Sequence, residues 1–538
     1  MSTRSGAKLL NLFLAGLLLL TLPGCGPAVF SPIERLATLR PVRTVSTGGE
    51  APFVPVSAEG TPDPAQPTPA PDEATPAPTQ TASPEPTAPA QAEPSPTAAP
   101  QGDITPLPPI LYYTQAGDTL AALALRFGVG IAEMSSPEAL PPDGLLNPGL
   151  LILIPNRLGE VSNAEHIIPD SEIVYSPSAL DFDLQKFLAE AGGYISNYKE
   201  WRANGRDDAA NAIELVALEN SINPRLLLAI LEYQGHWVYG QPANLAQTDF
   251  PIGYINYSRK GLYYQLSWAV QMLNIGYYGW RDGRVTSLTF TDGQTIRLAP
   301  DLNAGTVALL YLFSQLYDKP NWAATMYGEG SLPQLYQQMF GNPWERAQTI
   351  EPLFPATLTQ PPMELPFLKG IPWSYTGGPH SAWGPDGALA ALDFAPSTTE
   401  HDCYTSQDWV TAVSGGLVVR SENGAVVVDL DGDGYEQTGW AVFYMHIATQ
   451  DRVMPGDWVA ADGHIGHPSC EGGQSTGTHV HIARKYNGEW IQADGPLPFV
   501  LGGWRARRGE TLYLGTLEKD GQLVEASVYG EYKSLLSR

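Results

Sequence analysis

The chain has 538 residues and a net charge of −26, with 56 acidic side chains against 30 basic ones. No Lys/Arg-rich patch interleaves with aromatics, so the composition argues against a nucleic-acid partner. Beyond a low-complexity N-terminal stretch, the length implies about two to four folded units, and the patterning reads as multidomain α+β.

Arg4 and Lys8 precede the apolar run LLNLFLAGLLLLTL, which is too short to span a bilayer comfortably. The run ends in Leu-Pro-Gly-Cys and resembles a bacterial lipoprotein signal over residues 1–25. That resemblance implies a lipidated Cys25, a membrane anchor, and an extracytoplasmic location at the cell envelope for everything beyond it. Residues 26–109 are expected to form a disordered Pro/Thr/Ala-rich tether, because such a composition cannot bury enough apolar surface to offset ordering entropy. At about 3.1 Å per residue in polyproline II, the roughly sixty residues from about 50 to 108 could reach on the order of 150 Å or more.

Residues 110–157 read strand, helix, helix, strand. ILYYTQ is β-rich, Gly117-Asp118-Thr119 makes a turn and a helix N-cap, and Leu120, Leu123, Ala124 and Phe127 recur at helical spacing. A second short helix is expected near 131–140, before the closing apolar strand of GLLNPGLLILIP. The segment resembles a LysM domain, which implies glycan binding at Gly117, Asp118, Thr119 and Leu120 and at the loop around Ser135 to Ala139. SSPEAL lacks the asparagine usual at the end of the family's second helix.

Helical periodicity returns over 158–362. Pro224 is set to open a helix whose apolar face is Leu226, Leu227, Ala229, Ile230 and Leu231. Together with LNAGTVALLYLFSQLY, this part is similar to the lysozyme-like fold of lytic transglycosylases, where such a helix carries a catalytic glutamate followed by Ser-Gly. Here the matching register holds Gln234-Gly235-His236. An amide cannot protonate a glycosidic oxygen, and Glu232 sits nearly on the opposite side of the helix. The domain is therefore expected to be non-catalytic, with Tyr277, Tyr278 and Trp280 packed in its core.

Residues 363–503 turn Gly-rich and β-rich. His479 and His481 in STGTHVHIARK lie two apart, so a strand puts both on one face, about 7 Å apart. His380, Asp393 and His446 complete a set of imidazoles and a carboxylate suited to a hydrolytic zinc site, which takes three N/O ligands and keeps a fourth position for water. The motifs LDFAP, YMHI, GDWV and STGTHVH resemble those of the lysostaphin-type zinc endopeptidases, which cut peptide cross-bridges of peptidoglycan. The resemblance implies His380, Asp393 and His481 as ligands of one zinc ion, and His446 and His479 as the catalytic pair. The family usually spaces its first two ligands as His-x-x-x-Asp. Here SAWGPDGALAA intervenes and reads as an inserted loop, with Asp386 as a rival carboxylate.

Three further features belong to this region. Cys403 and Cys470 form an even pair suited to a disulfide in an oxidising compartment. Asp429, Asp431 and Asp433 imitate the start of a calcium loop, but its twelfth position is Trp440, and an acidic hairpin turn is favoured. His401, His464 and His467 are the region's other histidines; His464 and His467 occupy turns and read as structural or solvated. Residues 504–538 are taken as a C-terminal β extension. The expectation is a lipid-anchored zinc endopeptidase acting on peptidoglycan. The alternatives are a non-catalytic wall-binding or hydrolase-activating lipoprotein, and a glycan-cleaving enzyme working through the middle domain.

Overall fold

The computed structural model describes residues 107–202, 205–397 and 402–538. Cys25, the signal, nearly all of the tether and His401 lie outside them. Among the described residues no helix is long and apolar enough to cross a membrane.

The small N-terminal module pairs Ile110–Tyr113 with Leu151–Ile154 antiparallel. Its helix, Leu120–Phe127, opens on Thr119, whose side chain accepts from the Ala122 N–H, and closes on Gly128 in the left-handed region. The second helix expected near 131–140 is reduced to one 3₁₀ turn, Ile131–Glu133. Ser135 instead bridges to Leu153. The reason is local: Pro137 has no N–H to donate and pushes the residue before it out of the α region.

The helical part is built on Leu262–Arg281 and Ala304–Ser314. Pro224–Gly235 does begin at its proline, capped by Asn223. Yet Leu226 through Leu231 are all fully buried, so this helix is enclosed on every side rather than on one apolar face. Tyr277, Tyr278 and Trp280 are core residues, as their sequence context suggests.

The C-terminal part is built on a nine-stranded antiparallel sheet, accompanied by a four-stranded sheet over Val500–Glu525 and a two-stranded pairing of His464–Gly466 with Val410–Thr411. The strands of the nine-stranded sheet are β1 (Trp373–His380), β2 (Ala391–Pro396), β3 (Gly416–Glu422), β4 (Ala425–Asp429), β5 (Trp440–Met445), β6 (Trp458–Val459), β7 (Val480–Tyr486), β8 (Glu489–Trp490) and β9 (Leu535–Leu536). They lie in the order β6-β3-β4-β5-β7-β2-β1-β9, with β8 paired to the end of β7. Val442, Tyr444, Val480 and Ile482 face a core shared with the chain's last segments, while Ala441, Phe443, Met445 and Ala483 face the helical part. Burial of both faces explains why β4 and β5 read as unbroken apolar runs instead of alternating.

The boundary expected at 503/504 does not hold. Trp504, Ala506, Leu517 and Val524 join the sheet's core, and β9 pairs with Trp373 and Ser374 of β1. The last 35 residues are part of the fold. The three parts meet at Arg281, which donates to the Ala116 carbonyl, to Asp170 and to Glu489.

Candidate metal centre

Register alone brings half the site together. In the β7–β2 pairing His481 stands directly opposite Asp393, and across β2 Asp393 stands opposite Gly377 of β1. A Cβ on Gly377 would lie 2.4 Å from the Asp393 carboxylate, so this close approach requires glycine. The β1–β2 ladder breaks on both sides of Gly377, and these irregularities re-aim the end of β1 so that His380 reaches the same point. The side-chain donors of His380, Asp393 and His481 all lie within 4.8 Å of one another, and all three residues are buried.

The second ring nitrogens fix the orientation. His380 donates through Nδ1 to the Gly378 carbonyl at 2.8 Å, and His481 through Nε2 to the Ala382 carbonyl at 3.1 Å. These bonds leave His380 Nε2 and His481 Nδ1 unprotonated, facing each other at 3.0 Å. Asp393 Oδ1 has no hydrogen-bond donor in good geometry, although it is 3.3 Å from His380 Nε2 and 3.1 Å from His481 Nδ1. Two lone pairs and an orphaned carboxylate oxygen converging in a buried space repel one another unless a cation lies between them. The donor set therefore fits a divalent metal ion.

The neighbouring imidazoles are held in the same way. His479 donates through Nδ1 to the Gly477 carbonyl at 2.8 Å, and its Nε2 lies 3.8 Å from Asp393. His446 follows the end of β5 in a left-handed conformation, φ 65°, rare for a residue with a side chain. It donates through Nδ1 to the Glu471 carbonyl, and its ring centroid lies 4.5 Å from that of His479. Burial first, and the adjacent His479 imidazole second, hold the His446 pKa well below the ordinary histidine value. Burial also lowers His481. For Asp393 burial acts upward, but His380 and then His479 pull its carboxyl well below the usual range. Burial acts downward on His380, but the charge of Asp393, its hydrogen bond and the Gly378 carbonyl together raise its pKa.

The insertion between the first two ligands also participates. Ala382 receives the hydrogen bond from His481, and the loop closes on itself through Ala382 N to the Ala388 carbonyl. Asp386, the rival carboxylate, is outside the cluster; its backbone carbonyl accepts from Arg284 of the helical part. Tyr513 was not foreseen. Its ring stacks on His380 at 4.2 Å, and its carbonyl accepts from the Gly378 N–H, in a turn with φ 66°. No local sequence signal marks it, because Leu-Tyr-Leu reads as strand and lies 133 residues from its partner.

Cys403 and Cys470 are bonded, with Cα atoms 5.6 Å apart. Asp429 accepts from the backbone N–H groups of Asp431 and Gly434, which ties the turn between β4 and β5. Trp440 opens β5 and offers no ligand atom. His464 and His467 flank the Trp409 ring, with centroids 4.2 and 4.0 Å from it, in keeping with a structural role.

The loop 117–120 requires a correction. Asp118 is buried, ion-paired with Arg126 at 2.7 Å and bonded by the Tyr112 hydroxyl; Leu120 is buried in the module's core. Thr119 is spent on the helix cap, and a Cβ on Gly117 would fall on the Arg281 guanidinium. As they stand, Asp118 and Leu120 cannot line an open glycan groove, because the turn is used to close the module and dock it. In the helical part, Gln234 donates to the Ile252 carbonyl and accepts from Tyr317, while Glu232 accepts from the N–H groups of Val238 and Tyr239. Both side chains are tied to backbone or to a neighbouring ring.

Residues 166–354 match the family model described as LasA, N-terminal domain. Over 364 residues the chain is 27% identical to Protease LasA of Pseudomonas aeruginosa, covering 63% of this chain and 78% of that protein. A second strain's Protease LasA aligns over the same length at 26% identity. Among solved structures, the M23 metalloprotease pseudoalterin from the deep sea is 27% identical, with a TM-score of 0.27, over 32% of this chain and 96% of that one. The catalytic domain of lysostaphin from Staphylococcus simulans is 24% identical, with a TM-score of 0.17, over 22% and 87%. In sequence, then, the chain is similar to Protease LasA over 63% of its length, and within it residues 166–354 are similar to the LasA N-terminal domain.

Proposed function

We propose that the chain is a zinc-dependent endopeptidase that hydrolyses peptide cross-links of peptidoglycan, held at the cell envelope by a lipid on Cys25. The observation that carries this reading is the convergence of His380 Nε2, His481 Nδ1 and Asp393 Oδ1 in one buried space beside the His446–His479 pair. Two neutral imidazoles and one carboxylate leave a divalent ion one net positive charge. Bound there, zinc supplies a Lewis acid for an amide carbonyl and lowers the pKa of its water.

The chain's own groups do the rest. His446 and His479 each commit Nδ1 to a backbone carbonyl, which leaves Nε2 to take a proton or to stabilise a developing oxyanion. Its depressed pKa keeps His446 neutral and able to accept at neutral pH. Tyr513 fixes the plane of the His380 ring.

In this reading residues 110–157 are a LysM module and 158–362 a lysozyme-like domain without its acid. The helical part serves to place the peptidase on the wall, since the 117–120 turn of the small module is spent on closing and docking it. Mass analysis of peptidoglycan digested by the purified chain tests it. Cut peptides support the reading, intact material points to an inert wall-binding protein, and cut glycan strands point to the helical part.

A further inference from the structure

We propose that the helical part carries a saccharide pocket, lined by Tyr194, Asn197, Tyr198, Lys199 and Gln241, that takes an amino-sugar unit bearing a carboxylate. The inference rests on the cell-wall reading above and names what the helical part adds to it.

The cavity holds about 300 Å³, at the small end for a ligand site. Its aromatic wall is rigid. The Tyr194 and Tyr198 rings lie 5.8 Å apart, and both pack on Trp237, at 4.9 and 4.8 Å. Trp237 is fully buried, with its indole N–H given to the Gln247 carbonyl. Backbone bonds from Gly193, Tyr194 and Ile195 to the 237–240 segment stitch the two sides together. The Tyr198 hydroxyl donates to Glu200, which also accepts from the first N–H groups of the helix Leu262–Arg281.

Against this fixed wall stand three uncommitted polar groups. Among the described residues the amides of Asn197 and Gln241 have no hydrogen-bond partner, and Lys199 has no carboxylate within ion-pair distance. Aromatic faces accept the C–H surface of a sugar ring. An amide, which both donates and accepts, matches hydroxyl and acetamido groups, and an ammonium matches a carboxylate substituent. A purely apolar ligand would leave both amides unpaired on burial. A nucleic-acid strand would meet a chain of charge −26.

The test uses the full chain carrying His479→Ala, so that binding is read without peptide cleavage. A soluble, peptide-free tetrasaccharide of alternating N-acetylglucosamine and N-acetylmuramic acid is titrated by calorimetry, with chitotetraose as the probe lacking carboxylates. We expect N197A/Q241A to weaken both sugars about tenfold, and K199A to weaken only the carboxylate-bearing one. These side chains are on the surface, and circular dichroism confirms that the variants fold. Absence of binding, or equal affinity in the variants, overturns the proposal; the latter places the sugar elsewhere, the small N-terminal module included. Failure of the peptidase reading shows separately, as a digest in which the unmodified chain releases no peptides.

Discussion

His446 donates through Nδ1 to the carbonyl oxygen of Glu471 at 3.0 Å, and Glu471 follows directly on Cys470 of the disulfide. The bond to Cys403 thus secures the segment that sets the orientation of the His446 imidazole, to which the proposed mechanism gives a catalytic role. Replacing both cysteines by serine should lower stability by about 4 kcal/mol in the chain-entropy model, less any strain. It should also reduce peptide turnover severalfold while bound metal is unchanged. Denaturant melts, metal analysis and kinetics on one preparation check this, and metal loss parallel to activity loss would contradict it.

The two histidines of the doublet should separate by phenotype. His481→Ala removes a lone pair from the metal centre and should abolish stoichiometric zinc and activity together. His446→Ala and His479→Ala should keep about one zinc per chain and lose turnover by about a hundredfold or more. Retention of both metal and activity in His481→Ala would refute the ligand assignment.

Glu219 sets a pH dependence away from the site. It is buried on the helix Ala209–Asn220, and burial pushes its pKa up to about 8 although Arg420 and Arg202 pull the other way. A carboxyl that keeps its proton only in the fold loses stability as pH rises from its unfolded pKa, about 4.3, towards 8, and then levels off. Glu219→Gln should remove this slope, raising Tm by several degrees at pH 8 and little at pH 4.5. Thermal melts across that range check it.

Gln234→Glu should not create a glycosidase. The amide bridges the Ile252 carbonyl and Tyr317, so a carboxylate there would oppose one acceptor with another. We expect a lower Tm and no released muropeptides or anhydro-sugars in the full-length chain; anhydro-sugars in the digest would count against a non-catalytic middle.

The clustering of these side chains was legible in the sequence wherever it follows strand registry. His481 and Asp393 sit in strands whose period of two decides their facing, His479 immediately precedes β7, and the cysteine pair needed only parity and compartment. What was not legible depends on closure over long distances. Tyr513 reaches His380 from a turn, and β9 completes an edge of β1 from the last residues of the chain. In the loop 117–120 the turn chemistry is local, but its burial is decided elsewhere: Arg126, Tyr112 and the module's core enclose Asp118 and Leu120, and Arg281 of the helical part lies against Gly117. The second helix of the small module failed locally, through Pro137.

The position of Arg281 bears on how such a chain can evolve. One guanidinium spends its donors on the N-terminal module, on its own helical part and on the peptidase hairpin at Glu489. Recombination that exchanged the helical or the peptidase part for a foreign copy would strand either a buried arginine or a buried glutamate, and an uncompensated buried charge is costly. The parts resemble interchangeable modules in sequence, yet Asp170, Arg281 and Glu489 must be inherited as a set.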